Sequence, residues 1–243
     1  MIKYILIDTR YKAFGSNNNF RYQLPYDIII KSYIKINYLY LPRLNYLINS
    51  SNNTFTITFI NDTGVSTYNI IISEGKYTPL ELVSIINTQM DKAFNFNVTY
   101  NTNTYKFMFS ANTDFKLDFS NSNFYRLLSL EKKEYNSDTN KKFVSGIVNF
   151  NNPYYININI KSISNDVMIG SNQSQPVNFI IPIYSVNFAE IIQYNDINYD
   201  VKMSVSNYKT NYFDMEITND LNELFDNNDA NFIMVLEYDA PDN

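Results

Sequence analysis

Cysteine, histidine and tryptophan are absent from this chain of 243 residues, and glycine and proline are scarce. Without histidine and cysteine the chain lacks the commonest metal ligands, the usual acid/base group at neutral pH and the thiol nucleophile. Most familiar catalytic schemes are thereby closed, so the chain is read as non-enzymatic, with no catalytic residue, metal ligand or cofactor assigned. Disulfides are excluded too, but a chain of this length buries roughly 70% of its unfolded surface and needs no covalent staple. Positive charge is also in short supply: the net charge is -5 and the pI about 4.8. That balance argues against a coat for nucleic acid, which requires a concentrated Lys/Arg surface. No apolar run approaches the roughly 20 residues of a membrane-crossing helix. At the N-terminus the apolar stretch of MIKYILIDTR is broken by Lys3 and ended by Asp8, too short for a secretory core. The expectation is a soluble chain made without a signal peptide.

What the chain has in quantity is aromatic: 22 Tyr and 18 Phe, set in an Asn- and Ile-rich background. Periodicity separates this from a low-complexity tract. In TFTITFI (54–60), Phe55, Ile57 and Phe59 share one face and the threonines share the other. In YININIK (155–161), Ile156, Ile158 and Ile160 alternate with Asn157, Asn159 and Lys161. Such period-2 patterns mark half-buried strands. Others are expected at 28–41, 96–100, 105–110, 115–119, 177–183, 200–206, 211–218 and 231–238, separated by Asn/Asp/Ser/Gly turn clusters. The first of these is the longest, with Ile34, Ile36, Tyr38 and Tyr40 placed opposite Lys31, Lys35 and Asn37. About ten short strands without a fixed repeat describe an all-β sandwich or barrel.

One stretch breaks the pattern. In EGKYTPLELVSIINTQM (74–90), Thr78 is an N-cap, Pro79 occupies the first helical position and Glu81 completes a T-x-x-E capping box. Tyr77 and Leu82 stand at the two positions of a hydrophobic staple, and Leu82, Ile86 and Met90 line one side. A helix is therefore expected at about 79–92, packed on the sandwich, with a second helical turn at about 122–130.

The order of these pieces resembles a known family. IDTRYKAFGSNNNFRYQLPYDI is followed by INYLYLPRLNYLINSSNNTFTITF, then the capped helix, FKLDFSNSNFYRLLSLEKKEY, VNFIIPIYSVNFAEIIQY and finally NYFDMEITNDLNELFDNNDANFIMVLEY. Together they are similar to the penton, or minor capsid, proteins of virophages and polinton-like double-stranded DNA viruses. The resemblance implies a single jelly roll over 1–243, with 1–24 as an N-terminal strand or arm. It also implies a homopentamer at each icosahedral vertex of the virion, in contact with trimers of a double-jelly-roll major capsid protein. One departure is Ser129, where the resemblance leads one to expect glycine. A carbohydrate-binding or host-attachment sandwich module is the alternative, and it requires an exposed aromatic platform.

Charge offers a separate pointer. Residues 1–43 carry seven Lys/Arg against Asp8 and Asp27, a net of +5, whereas residues 211–243 carry nine Asp/Glu and no Lys/Arg. Complementary charge on two surfaces would set the register of a ring. Arg10, Lys12 and Phe14, beside a flexible GSNNN (15–19), and Asp226 and Asp229 are the expected inter-subunit contacts. Their bland reading is as solvated edges that contact nothing. Asp220, Glu223, Asp226 and Asp229 lack the Ca²⁺-loop pattern and read as a polar hairpin connection. Asp214 and Glu216, a conceivable glycosidase pair, alternate with Phe213, Met215 and Ile217 and read as a strand's solvent face. Tyr154 and Tyr155 read as sheet packing rather than a stacking platform, and the N-x-[ST] triplets at Asn49, Asn52, Asn61, Asn97 and Asn172 as chance in an Asn-rich chain.

Overall fold

A computed structural model of the chain describes residues 1–62, 64–90, 94–150, 153–163, 179–183, 186–195 and 201–242. The side chains pack into two cores, one in Met1–Asn45 with Pro153–Asn243 and one in Tyr46–Asn152. The expected single domain over 1–243 rests on chain length, on short strands without a long linker and on the family resemblance, while alternation marks only which residues are buried. It carries no mark of which buried residues meet one another, and here they meet in two groups.

The first unit contains β1 (Ile2–Asp8), β2 (Phe14–Ser16), β3 (Asn19–Ile30) and β4 (Tyr33–Pro42). Its later strands are β12 (Tyr155–Ile160), β13 (Phe179–Pro182), β14 (Ile191–Asn195), β15 (Met203–Ser204), β16 (Tyr208–Asn219) and β17 (Ile233–Asp239). One antiparallel sheet runs β1-β17-β4-β14, with β15 also on β4; the other runs β13-β12-β16-β3-β2. Both line the same core, and the result is the expected all-β jelly-roll sandwich.

Two expectations about the long 28–41 strand need correction. The chain breaks at Lys31–Ser32 and passes from one sheet to the other, so β3 and β4 are separate strands. The facing also changes within β4. Opposite β17 the register slips between Val235 and Leu236, which pair with Tyr38 and Ile36 and leave Asn37 as the extra residue. A bulge of this kind reverses the facing beyond it. Ile34 and Ile36 point inward as expected, but Leu39 and Leu41 take over the core beyond the bulge and Tyr38 and Tyr40 turn outward.

Residues 1–24 are held in the sheets. β1 is paired with β17 along its whole length, and GSNNN, expected to be flexible, is the tight connection of the β2–β3 hairpin. Gly15 sits there at φ +97°, and a Cβ at that position would lie 2.3 Å from the Asn19 carbonyl oxygen. β12 also departs from the half-buried reading, because Asn157 and Asn159 are buried as well as the isoleucines. The Asn157 amide donates to Asn219 O at 3.2 Å, while its Oδ1 is buried with no hydrogen-bond partner among the described residues.

The second unit holds β5 (Thr54–Asn61), β6 (Gly64–Ile71), β7 (Asn97–Asn101), β8 (Lys106–Ser110), β9 (Asp114–Asp118), β10 (Glu134–Asn136) and β11 (Lys142–Val144). These form sheets β10-β9-β5-β6 and β11-β8-β7. The capped helix is α1 (Pro79–Thr88); the expected 91–92 lie outside the described residues. Glu81 N donates to Thr78 Oγ1 at 3.3 Å and Thr78 N donates to the Glu81 carboxylate at 2.7 Å, which closes the capping box. Leu82 and Ile86 are buried in a phenylalanine-rich core where the Phe59 and Phe94 rings stack at 4.3 Å. The second helical turn is α2 (Phe124–Leu127). Just beyond it Ser129 adopts φ +50°, the left-handed conformation that glycine takes most easily.

Candidate functional site

The described residues present no cluster of three His, Cys, Asp or Glu side chains able to hold a metal. What the jelly-roll unit does present is surface, of two kinds.

The first surface is the outer face of the β1-β17-β4-β14 sheet. On β1, Ile5 and Ile7 face inward, while Ile2, Tyr4 and Leu6 point outward at 55%, 60% and 58% exposure. The register sets Leu6 beside Val235 and Val235 beside Tyr38, then Ile233 beside Tyr40 and Tyr40 beside Gln193. Ile191 closes the row next to Pro42. The bulge at Asn37 is what carries Tyr38 and Tyr40 onto this face. Ile2, Tyr4, Leu6, Tyr40 and Ile191 are each roughly half exposed. Together they leave on the order of 500 Å² of mainly apolar surface in solvent, the size of the largest patch on an ordinary monomer, which is often functional.

A charged pair is embedded in the same face. Lys35 Nζ lies 3.6 Å from Glu237 Oε1 with the two side chains only 12% and 10% exposed. Glu237 is opposite Tyr4 on one side and Lys35 on the other. The Tyr33 hydroxyl donates to Glu237 at 3.0 Å. Burial, followed by that carboxylate, pushes the Tyr33 hydroxyl up to about 12 from the ordinary 10.0.

β1 is also an edge. Ala240 N donates to Met1 O at 2.8 Å, and Thr9 N donates to Phe232 O at 3.1 Å. Antiparallel ladders alternate, so Lys3, Ile5 and Ile7 direct their backbone groups to β17, while Ile2, Tyr4 and Leu6 direct theirs away from the sheet. No strand among the described residues pairs that side. The far edge of the sheet behaves alike. Arg43 N donates to Glu190 O at 2.8 Å, so Ile192 faces β4 while the backbone groups of Ile191 and Gln193 point outward. The reading of 1–24 as a strand or arm gave β1 no bounds of its own, because both its faces are mainly apolar, which weakens the period-2 signal.

The second surface is polar and lies at one end of the unit, where the turn after β1, the β2–β3 hairpin and the β16–β17 connection meet. Four of the five expected contact residues make local bonds, and two of them, Lys12 and Asp229, are linked through Asn17. Arg10 pairs with Asp8 in a bidentate arrangement, and the guanidinium holds the Asp8 carboxyl below its usual range. Lys12 Nζ donates to Asn17 Oδ1 at 2.7 Å, Asn17 N donates to Asp229 Oδ1 at 2.9 Å, and Asp226 Oδ1 accepts from Asn228 N at 2.9 Å. Phe14 is exposed, with the Arg21 guanidinium 5.2 Å from its ring centre. The basic and acidic candidates therefore share one surface.

Part of the opposite charge of the two chain ends meets within the protomer: Arg21 binds Asp214 through two bonds of 2.6 and 2.7 Å, Lys35 lies beside Glu237, and the N-terminal ammonium contacts Asp239 and Asp242. Glu216 pairs instead with Lys161, at 2.5 Å. Asp214 and Glu216 do face outward opposite buried Phe213, Met215 and Ile217, each next to a cation. Arg43 is buried and donates to the carbonyls of Ile183 and Val186; burial lowers its pKa from the free value. In the β16–β17 connection Asp220 accepts from Tyr154 N at 3.1 Å. Tyr154 is exposed and Tyr155 half-buried. Of the N-x-[ST] sites, Asn172 lies outside the described residues.

The chain is similar in structure to the crystallised penton protein of mavirus, with a TM-score of 0.50 and 11% identity over 99% of this chain and 100% of that one. No protein-family model matches the chain, and neither does any curated protein sequence. At this identity the likeness is one of fold, and it extends over both units.

Proposed function

We propose that the chain is a structural, non-enzymatic capsid protein that acts as a penton: five copies form a ring at each icosahedral vertex of a virion and contact trimers of a double-jelly-roll major capsid protein. The observation that carries this reading is the likeness in fold to the mavirus penton protein, which spans 99% of this chain and 100% of that one. An apolar outer sheet face and two strand edges that no strand pairs among the described residues support it, because such surfaces call for a cover. We assign the polar end, with Arg10, Lys12, Phe14, Asp226 and Asp229, to contact with a neighbouring capsid subunit. The mechanism is burial of shaped surface, with polar contacts fixing the orientation.

Co-expression with a double-jelly-roll shell protein, followed by cryo-electron microscopy of the particles, tests the reading. The expected result is this chain's density in a fivefold ring at the vertices. Closed particles with vertices filled by another protein and this chain elsewhere would refute it.

A further inference from the structure

We infer that the two outer edges of the β1-β17-β4-β14 sheet join between neighbouring copies of this chain, β1 of one copy adding to β14 of the next. The inference rests on the proposed self-assembly and assigns its contact surface.

Strand direction is the first argument. β1 is antiparallel to β17, β17 to β4 and β4 to β14, so the two outermost strands run in opposite directions. Copies related by rotation about an axis along the strands therefore bring β14 of one beside β1 of the next in antiparallel orientation. The pairing at the junction is the same kind as inside the sheet.

The second argument is which groups meet. The unpaired backbone groups of β1 belong to Ile2, Tyr4 and Leu6, and those of β14 include Ile191 and Gln193. In an antiparallel pair, residues directly opposite one another share a face. Every one of these five residues has its side chain on the outer face of its sheet. Joining the edges thus satisfies the backbone and carries the apolar face across the boundary in one step, as strand addition does elsewhere.

Closure is the third argument. Protective devices for a bare edge are lysines, prolines, bulges or very short strands. β1 has seven residues, pairs with β17 without a register shift and carries a single lysine, Lys3, which has no ion pair among the described residues. A second copy using the same edge in isologous fashion would leave β14 bare in both. A head-to-tail contact uses one β1 edge and one β14 edge per copy, so a closed ring leaves neither exposed.

The test uses the full chain, with sedimentation velocity over a range of concentrations and amide hydrogen exchange at the two ends of that range. On association, the amides of Ile2, Tyr4, Leu6, Ile191 and Gln193 should slow by at least about tenfold, while those of Lys3 and Ile5 are already protected in the dilute protein. Leu6→Lys and Ile191→Lys should each weaken association by about a hundredfold. Both side chains are exposed, so circular dichroism and the thermal transition should match the parent. Val144→Lys, exposed in the second unit, should associate normally. Association unchanged in both edge variants would overturn the inference and leave the vertex reading to particle imaging. A parent chain that stays monomeric throughout would overturn it as well. So would glycan binding by the monomer that Leu6→Lys abolishes, which would give the face to a sugar.

Discussion

Replacing Lys35 by methionine separates a shielded charged pair from a solvated one. Lys35 and Glu237 are 3.6 Å apart and about 90% covered, on the sheet face that would otherwise meet water. At an effective dielectric of about 20 their gross attraction is on the order of 5 kcal/mol. Most of that offsets the cost of desolvating both groups, so the pair adds little net stability. Removing one member is different, because the other keeps its desolvation cost without its partner. Lys35→Met leaves the Glu237 carboxylate buried beside the Tyr33 hydroxyl, which donates to it at 3.0 Å, and should cost about 3 kcal/mol. Lys35→Met combined with Glu237→Leu should return to within about 1 kcal/mol of the parent, since the hole is then filled by apolar side chains beside Tyr4 and Tyr33. Urea unfolding followed by circular dichroism measures both. If the single variant costs less than about 1 kcal/mol, or the double variant costs as much as the single, water reaches the pair and the outer face is not closed over it.

Other expectations follow from the same geometry. The native Tyr33 hydroxyl keeps its proton up to about 12, whereas the unfolded chain releases it near 10.0. Stability from this group is therefore whole below pH 10 and lost as pH rises toward 12; Tyr33→Phe should flatten that part of a stability-against-pH curve, and an unchanged slope would remove the assignment. Gly15→Ala forces a side chain into φ +97° and within 2.3 Å of backbone; it should cost about 2 to 4 kcal/mol in urea unfolding, and less than about 1 would mean that the hairpin shifts freely. Because the proposed edge contact is apolar and made through backbone groups, raising NaCl from about 0.05 to 0.5 M should change the self-association constant by less than about threefold. A steep loss with salt, reproduced by charge reversal at Arg10, Lys12, Asp226 and Asp229, would restore a charge-driven ring.

How far the sequence could be read depended on whether one period held along an element. β5 alternates cleanly between a buried and an open face, β16 does so over 213–217 and the first half of β17 follows suit, and α1 carries its own start signals; each lies within a few residues of its expected place. β3 was divided between the expected 1–24 strand or arm and the start of the expected 28–41 strand, because Pro25 interrupts it: the register jumps from Gln23–Tyr212 to Ile28–Thr210, so several residues of β3 oppose Asn211 alone. A residue without an N–H cannot continue a ladder, and the pattern is cut where the ladder is. β12 was assigned correctly but given the wrong surroundings. Asn157 and Asn159 alternate as solvent-facing residues do, yet both are buried, and alternation reports polarity, not what covers a face.

The surfaces were less legible than the strands for a topological reason. Charge was counted along the chain, where residues 1–43 and 211–243 are the two most distant segments. In the fold β1 lies against β17 and β3 against β16, so those segments are neighbours over two sheets. Arg21 and Lys35 meet Asp214 and Glu237 at 2.6 and 3.6 Å, and what these charges satisfy internally they cannot offer to a partner. The outer face beside them exposes apolar residues instead: Ile2, Tyr4 and Leu6, with Tyr40 brought outward by the Asn37 bulge. A jelly roll that sets its first and last strands side by side thus turns part of an apparent charge code into internal cohesion, which is why the proposed contact is sought at the edge strand and not in the charge count.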